Sequence, residues 1–144
     1  MLDQHRTAAS VALAEPPPRL PCRAADARRA VERAVTERCR ARSLHCPPRA
    51  LADAVLVTSE LATNALVHGG GITGFDVDVD PAGVRVSVSD RSDAFPMTRP
   101  AADRREGARP GGHGWPLVRR LARDVRVAEL PRGGKRITAV VPLH

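Results

Sequence analysis

Residues 50–90 read ALADAVLVTSELATNALVHGGGITGFDVDVDPAGVRVSVSD, and the change of period within them decides the fold. Up to His68, the apolar residues Leu51, Ala54, Val55, Thr58, Leu61, Ala62 and Ala65 recur at helical spacing and make a nearly unbroken core stripe. Pro47 and Pro48 suit the start of this helix, and Gly69, Gly70 and Gly71 end it. The period then falls to two. Phe75, Val77 and Val79 alternate with Asp76, Asp78 and Asp80, and after the turn Asp80-Pro81-Ala82-Gly83, Val84, Val86 and Val88 alternate with Arg85, Ser87 and Ser89. The pattern predicts a β-hairpin with one buried and one wet face, in which Arg85 can meet the aspartates across the pair.

The flanking segments extend this plan. Ala27, Ala30, Val31, Ala34, Val35 and Arg38 follow helical spacing from Ala24 to about Arg42, with Asp26 placed to favour the helix N-terminus. The segment SLHCPP separates the two helices. Residues 91–113 show no period and hold several prolines, glycines and arginines; a loop of this length in a compact domain is usually functional. A third helix is expected from about Pro116 to Ala122, and the strands DVRVAEL and KRITAVVPL, joined by PRGG, close the chain. Residues 1–23 hold a short strand, SVALAE, and a proline-rich stretch; residues 24–144 form one domain. The order predicts an α+β two-layer sandwich, a mixed and mostly antiparallel sheet with helices packed on one face.

Composition narrows the function. The chain has 144 residues and a formal net charge of +7; Lys135 is its only lysine beside 22 arginines. Excess positive charge suggests nucleic acid, but Phe75, Phe95 and Trp115 are the only aromatic residues, too few for a base-stacking platform. No helix-turn-helix or other DNA-reading signature is present. Cys22, Cys39 and Cys46 make an odd count without a C-x-x-C pair. That pattern argues for a reducing cytoplasm, against a disulfide framework and against zinc, with Cys39 as semi-buried packing. The apolar run near the N-terminus is at the short limit for a secretory signal and lacks its cationic cluster. No stretch approaches the roughly 20 apolar residues of a transmembrane helix.

Three features carry chemistry. Taking Leu51 as zero, Glu60 lies at about 180° and Asn64 at about 220° around the helix, one turn apart on a flank that also holds Leu56 and Val67. Asp90 ends the strand VSVSD and faces the long loop, a frequent position for a site residue. In GGHGWPLVRRLA, Gly112 and Gly114 flank His113 just before a helix, where backbone N–H groups can approach a phosphate. The glycines fit neither a P-loop, for want of the Gly-Lys-Ser/Thr ending, nor a Rossmann turn, for want of the third glycine and a preceding strand.

In order, these features resemble the GHKL ATP-binding superfamily of gyrase, heat-shock chaperone, histidine kinase and mismatch-repair ATPase. SELATNALVHGG is similar to its asparagine box, Asp90-Arg91-Ser92 to its D-x-G box, GGHGWPLVRRLA to its second glycine box and GGKRITAVVPL to its last strand. The likeness spans residues 24–142 and is greatest to the anti-sigma-factor serine/threonine kinase branch common in actinobacteria. It implies a Bergerat-type fold, ATP and Mg²⁺ as cofactors, and a role for each matched residue. Glu60 would be the catalytic base, Asn64 the Mg²⁺ ligand, and Asp90 the acceptor for the adenine amino group. Gly112 and Gly114 would wrap the phosphates, with Ser92, His113, Leu117 and Val118 as further nucleotide contacts and residues 91–113 as the lid. His68 lies near that site, and Arg119, Arg120 and Arg123 form a solvated face.

The implied activity is phosphorylation of a STAS-type anti-anti-sigma protein on serine by a cytoplasmic protein that also binds a sigma factor and forms a homodimer. No direct contact with nucleic acid or membrane is implied. The alternative is a non-catalytic or weakly nucleotide-binding interaction module of the same fold. Two positions depart from the superfamily: Ser92 replaces a glycine, and Arg136 falls where many members carry a threonine near adenine. On this reading the partners of Arg91, Arg99, Arg104, Arg105 and Arg109 are a triphosphate and an acidic protein surface.

Overall fold

The computed structural model describes residues 19–94 and 114–144. The expected SVALAE strand, most of the expected lid, Gly112 and His113 lie outside the described residues. The elements run α1 (Ala24–Ala41), α2 (Pro48–His68), β1 (Ile72–Asp80), β2 (Gly83–Asp90), α3 (Gly114–Leu121), β3 (Asp124–Glu129) and β4 (Lys135–Val141). The strands form one four-stranded sheet of order β1-β2-β4-β3, with every neighbouring pair antiparallel. Helices cover one face of it, as the α+β reading requires. Among the described residues the sheet is wholly antiparallel, where a mixed sheet was expected.

The period-two pattern works as a register. Val77 pairs with Val86 and Val86 with Ala139; Val79 pairs with Val84 and Val84 with Val141. These residues form apolar rows beneath the helices, and all are buried. The alternate set, Arg85, Ser87, Arg136 and Thr138, takes the opposite face, where Ser87 and Thr138 share a hydrogen bond of 2.9 Å. The hairpin turn is held by the Ala82 N–H, which donates to Asp80 Oδ1 at 2.8 Å. Arg85 is opposite Asp78 in register, yet its ion pair is diagonal, to Asp80 Oδ2 at 3.4 Å. Asp78 instead receives Arg38 of α1 and Arg42, the residue that caps α1, at 3.3 and 2.9 Å.

α2 is the central helix. It buries Ala50, Ala54, Val57, Thr58, Leu61, Ala62 and Ala65. The stripe is thus turned slightly from the expected one: Val57 is buried, whereas Leu51 and Val55 are only half-buried. The reason is that α2 meets both α1 and the sheet, so its core face is centred between them. By length and composition α2 could cross a bilayer, with a mean hydropathy of 1.3 over its most apolar window, contrary to the sequence expectation. Here that apolar surface packs against α1 and the sheet. Leu56 and Val67, on the far flank, stay 46% and 65% exposed.

The corner between α1 and α2 corrects a second expectation. α1 ends with Ser43 at φ 53°, the Leu44 N–H donating to Cys39 O at 2.9 Å and the Ser43 N–H to Arg40 O at 3.3 Å. This is a Schellman turn. It folds the last turn of α1 onto the start of α2 and brings Cys39 and Cys46 together as a disulfide, with Cα atoms 6.4 Å apart. Cys22 is free and exposed. The pair was missed because its seven-residue separation matches no disulfide or metal spacing; the turn geometry joins the two cysteines. A groove of about 390 Å³ runs beside it, lined in part by Val35, Leu44, His45 and Leu51.

Candidate functional site

The C-terminal half of α2, the end of β2, the start of β4 and the first residue of α3 converge. Glu60 and Asn64 are half-buried on successive turns of α2, as expected. α3 begins at Gly114, two residues before the expected Pro116. The proline sits within the first helical turn, where its missing N–H costs nothing. Gly114 is buried, and a Cβ added there would overlap Glu60 Oε1. The glycine therefore does more than free the backbone: its bare Cα lets α3 start directly against the Glu60 carboxylate.

A second close approach anchors the other end. α2 is capped by Gly69, whose N–H donates to Ala65 O at 3.0 Å. A Cβ on Gly69 would lie 2.5 Å from Cγ and Oδ2 of Asp90. The Arg91 N–H donates to Gly69 O at 2.9 Å, and Arg91 Nη1 donates to Gly70 O at 2.6 Å. These contacts fix the end of β2 against the end of α2. Asn64 and the Gly69–Asp90 junction are then separated by about 7.5 Å along the helix.

Asp90 is 3% exposed, and both of its carboxylate oxygens accept hydrogen bonds. Its Oδ1 accepts the Ser92 N–H at 2.9 Å, closing an Asx turn. Both carboxylate oxygens accept from Lys135 Nζ, at 3.0 and 2.9 Å. Ser92 fits the expected glycine position; its Oγ accepts the Ala94 N–H at 3.1 Å. Asp93 Oδ1 accepts the Gly134 N–H at 2.8 Å and so ties the start of the long loop to the β3–β4 turn.

Lys135 is the buried partner of Asp90 that the sequence reading missed. Arg136 was aligned with the position near the base, but it is exposed and reaches Ser89 Oγ at 3.4 Å on the helix-free face of the sheet. Strand parity contained the signal. Ile137, Ala139 and Val141 face the core, so Lys135 shares their side and Arg136 cannot; β2–β4 register then sets Lys135 opposite Asp90.

The remaining candidates divide. Leu117 is half-buried, and Val118 is buried in the core cluster beneath α3. His68, Arg91, Arg119, Arg120 and Arg123 are exposed. Arg99, Arg104, Arg105 and Arg109 lie outside the described residues, as do Gly112 and His113. Among the described residues there is no group of three or more His, Cys, Asp or Glu side chains able to hold a metal. The assembled part is thus a carboxylate and an amide one helical turn apart, a helix N-terminus abutting the carboxylate, and a buried acid–ammonium pair beyond the amide.

Residues 20–141 match the model of the histidine kinase-like ATPase domain. No curated protein matches the chain. A solved structure, the histidine kinase domain from the Erythrobacter litoralis EL346 blue-light activated histidine kinase, is similar at 25% identity and a TM-score of 0.46. The match covers 67% of this chain and 46% of that one, so the chain spans about half the length of that relative.

Proposed function

Because the chain belongs to the histidine kinase-like ATPase domain family, we propose that it is an ATP-binding regulatory protein acting as an anti-sigma-factor serine/threonine kinase. It would bind a sigma factor and phosphorylate a STAS-type anti-anti-sigma partner on serine. We place it in the cytoplasm, as a homodimer, without direct contact to nucleic acid or membrane. The observation that carries the reading is Glu60 held against Gly114 at the start of α3, with Asn64 on the next turn of α2.

Each residue then has a task. Asp90 accepts a hydrogen bond from the adenine amino group. The N-terminal N–H groups of α3 face the phosphates, where the helix end favours negative charge. Glu60 orients the serine hydroxyl and takes its proton as the new O–P bond forms and the bond from the γ-phosphorus to ADP breaks. Asn64 is the residue that would hold Mg²⁺, through its amide oxygen. The donor set fits that ion, since Mg²⁺ keeps several waters and phosphate oxygens and needs few protein ligands. When bound, the ion would neutralise phosphate charge. The rest is positioning and electrostatics supplied by the chain.

Titration of wild type and Asn64→Ala with Mg²⁺–ATP tests the binding. The expected result is saturable binding that weakens in the variant; undetectable binding in both overturns the nucleotide reading. A phosphotransfer assay on STAS-type partners with wild type and Glu60→Ala tests the chemistry. A second reading, a client-binding module without catalysis, is favoured by one observation: Asp90 is already paired with Lys135. It gains if wild type binds ATP and transfers nothing.

A further inference from the structure

The proposed chemistry leaves the ammonium of Lys135 without a task. Lys135 and Asp90 are each 3% exposed, and their contacts are short. Such a pair is costly to bury, because both charges leave water, and an apolar pair of similar volume is often no less stable. Its hydrogen-bonding capacity is also incompletely used. An ammonium has three N–H donors. Two reach the Asp90 oxygens, and the third has no acceptor among the described residues. A carboxylate offers about four acceptor directions. Lys135 takes two and the Ser92 N–H one. Among the described residues, one acceptor direction of the carboxylate and one donor of the ammonium therefore have no partner. Gly69, packed on the carboxylate where no Cβ could fit, keeps Asp90 from swinging away from Lys135.

We infer that Lys135 is a base-reading residue: its ammonium donates to the ring nitrogen beside the amino group that Asp90 accepts, so that adenine is read by both members of the pair. The chemistry matches on each side. Adenine carries a 6-amino donor flanked by two ring-nitrogen acceptors, N1 and N7. Guanine has a carbonyl oxygen in place of that amino group and would set an acceptor against the carboxylate. The inference rests on the nucleotide reading above and adds a specificity-determining residue to it.

The test measures binding of Mg²⁺-loaded ATP, 1-deaza-ATP, 7-deaza-ATP and GTP to the full chain by calorimetry. One deaza analogue is expected to bind about tenfold to a hundredfold more weakly than ATP, the range for a hydrogen bond to a charged group. Loss with 1-deaza-ATP places Lys135 on the Watson–Crick side of the base; loss with 7-deaza-ATP places it on the opposite side. GTP is expected to bind more weakly than ATP. In Lys135→Met, ATP and the weakened analogue should bind alike; the wild-type comparison stands even where this variant does not fold. If both deaza analogues match ATP, the inference is overturned and the nucleotide reading survives; if GTP binds as tightly as ATP, the inference falls together with the adenine contact of Asp90, and only nucleotide binding stands. If ATP itself does not bind, both fall.

Discussion

Glu60 Oε1 occupies the space that a Cβ on Gly114 would need. The obstructing atom is the tip of a flexible side chain, so a methyl group there can displace it at little cost. Alanine also suits a helix better than glycine, by about 1 kcal/mol. Gly114→Ala should therefore change stability by no more than about 1 kcal/mol while moving the carboxylate off its position. The expected outcome is nearly unchanged ATP binding with a large loss of phosphotransfer, read from calorimetry and a transfer assay on the same preparation. Loss of both together would show that Gly114 serves phosphate binding or the fold, and not the carboxylate alone.

The corresponding change at the other junction should behave differently. In Gly69→Ala the new methyl group meets Cβ, Cγ and Oδ2 of Asp90. That side chain cannot give way, since Lys135 and the Ser92 N–H hold it. Overpacking of this kind costs about 1–3 kcal/mol. Chemical denaturation should show that loss, and ATP affinity should fall as the base-contacting acid is pushed aside.

The Asp78 clasp gives a pH dependence with a definite sign. A hydrogen bond with the Val79 backbone, and then the guanidinium charges of Arg42 and Arg38, hold the Asp78 carboxyl below the usual carboxylate range. A depressed folded-state pKa contributes stability above the unfolded pKa of about 3.9 and loses it as pH falls through the folded value. Asp78 is 35% exposed, so screening keeps the contribution to about 1 kcal/mol or less. Asp78→Asn should melt slightly lower than wild type at pH 7 in low salt, and the gap should close below about pH 4. A gap that persists in acid would mean that the carboxyl acts by packing.

The Cys39–Cys46 bond closes a short loop far along α2 from Glu60. Chain-entropy reasoning assigns a loop of this size roughly 2 kcal/mol. Cys39→Ser, or reduction, should lower stability by about that amount. It should leave ATP affinity within about twofold, since distant sites act nearly additively. Thermal melts with and without a thiol reductant, paired with nucleotide titrations, check both halves.

The hairpin was legible because its alternation is strict and each buried valine has an apolar residue opposite it. Glu60, Asn64 and Asp90 stood out as candidates because a polar pair on a part-apolar flank and an acid at a strand end are local patterns. The missed features are pairings that no single periodic segment contains. The Gly69 contact with Asp90 depends on how a helix end meets a strand end. Lys135 required the parity of β4 to be carried back from its apolar residues. The disulfide arose from a helix-terminating turn that a serine, not a glycine, enters at positive φ.

The strand order β1-β2-β4-β3 has a dynamic consequence. Among the described residues, β2 and β4, which carry Asp90 and Lys135, are the two inner strands, hydrogen-bonded on both sides. Amide protons there exchange only through the largest openings of the molecule, whereas β1 and β3 can fray at the margins. The acid–ammonium pair closes one end of this inner β2–β4 ladder. Breathing of either sheet margin leaves it undisturbed, and any adjustment that admits a base must come from the segments around the pair.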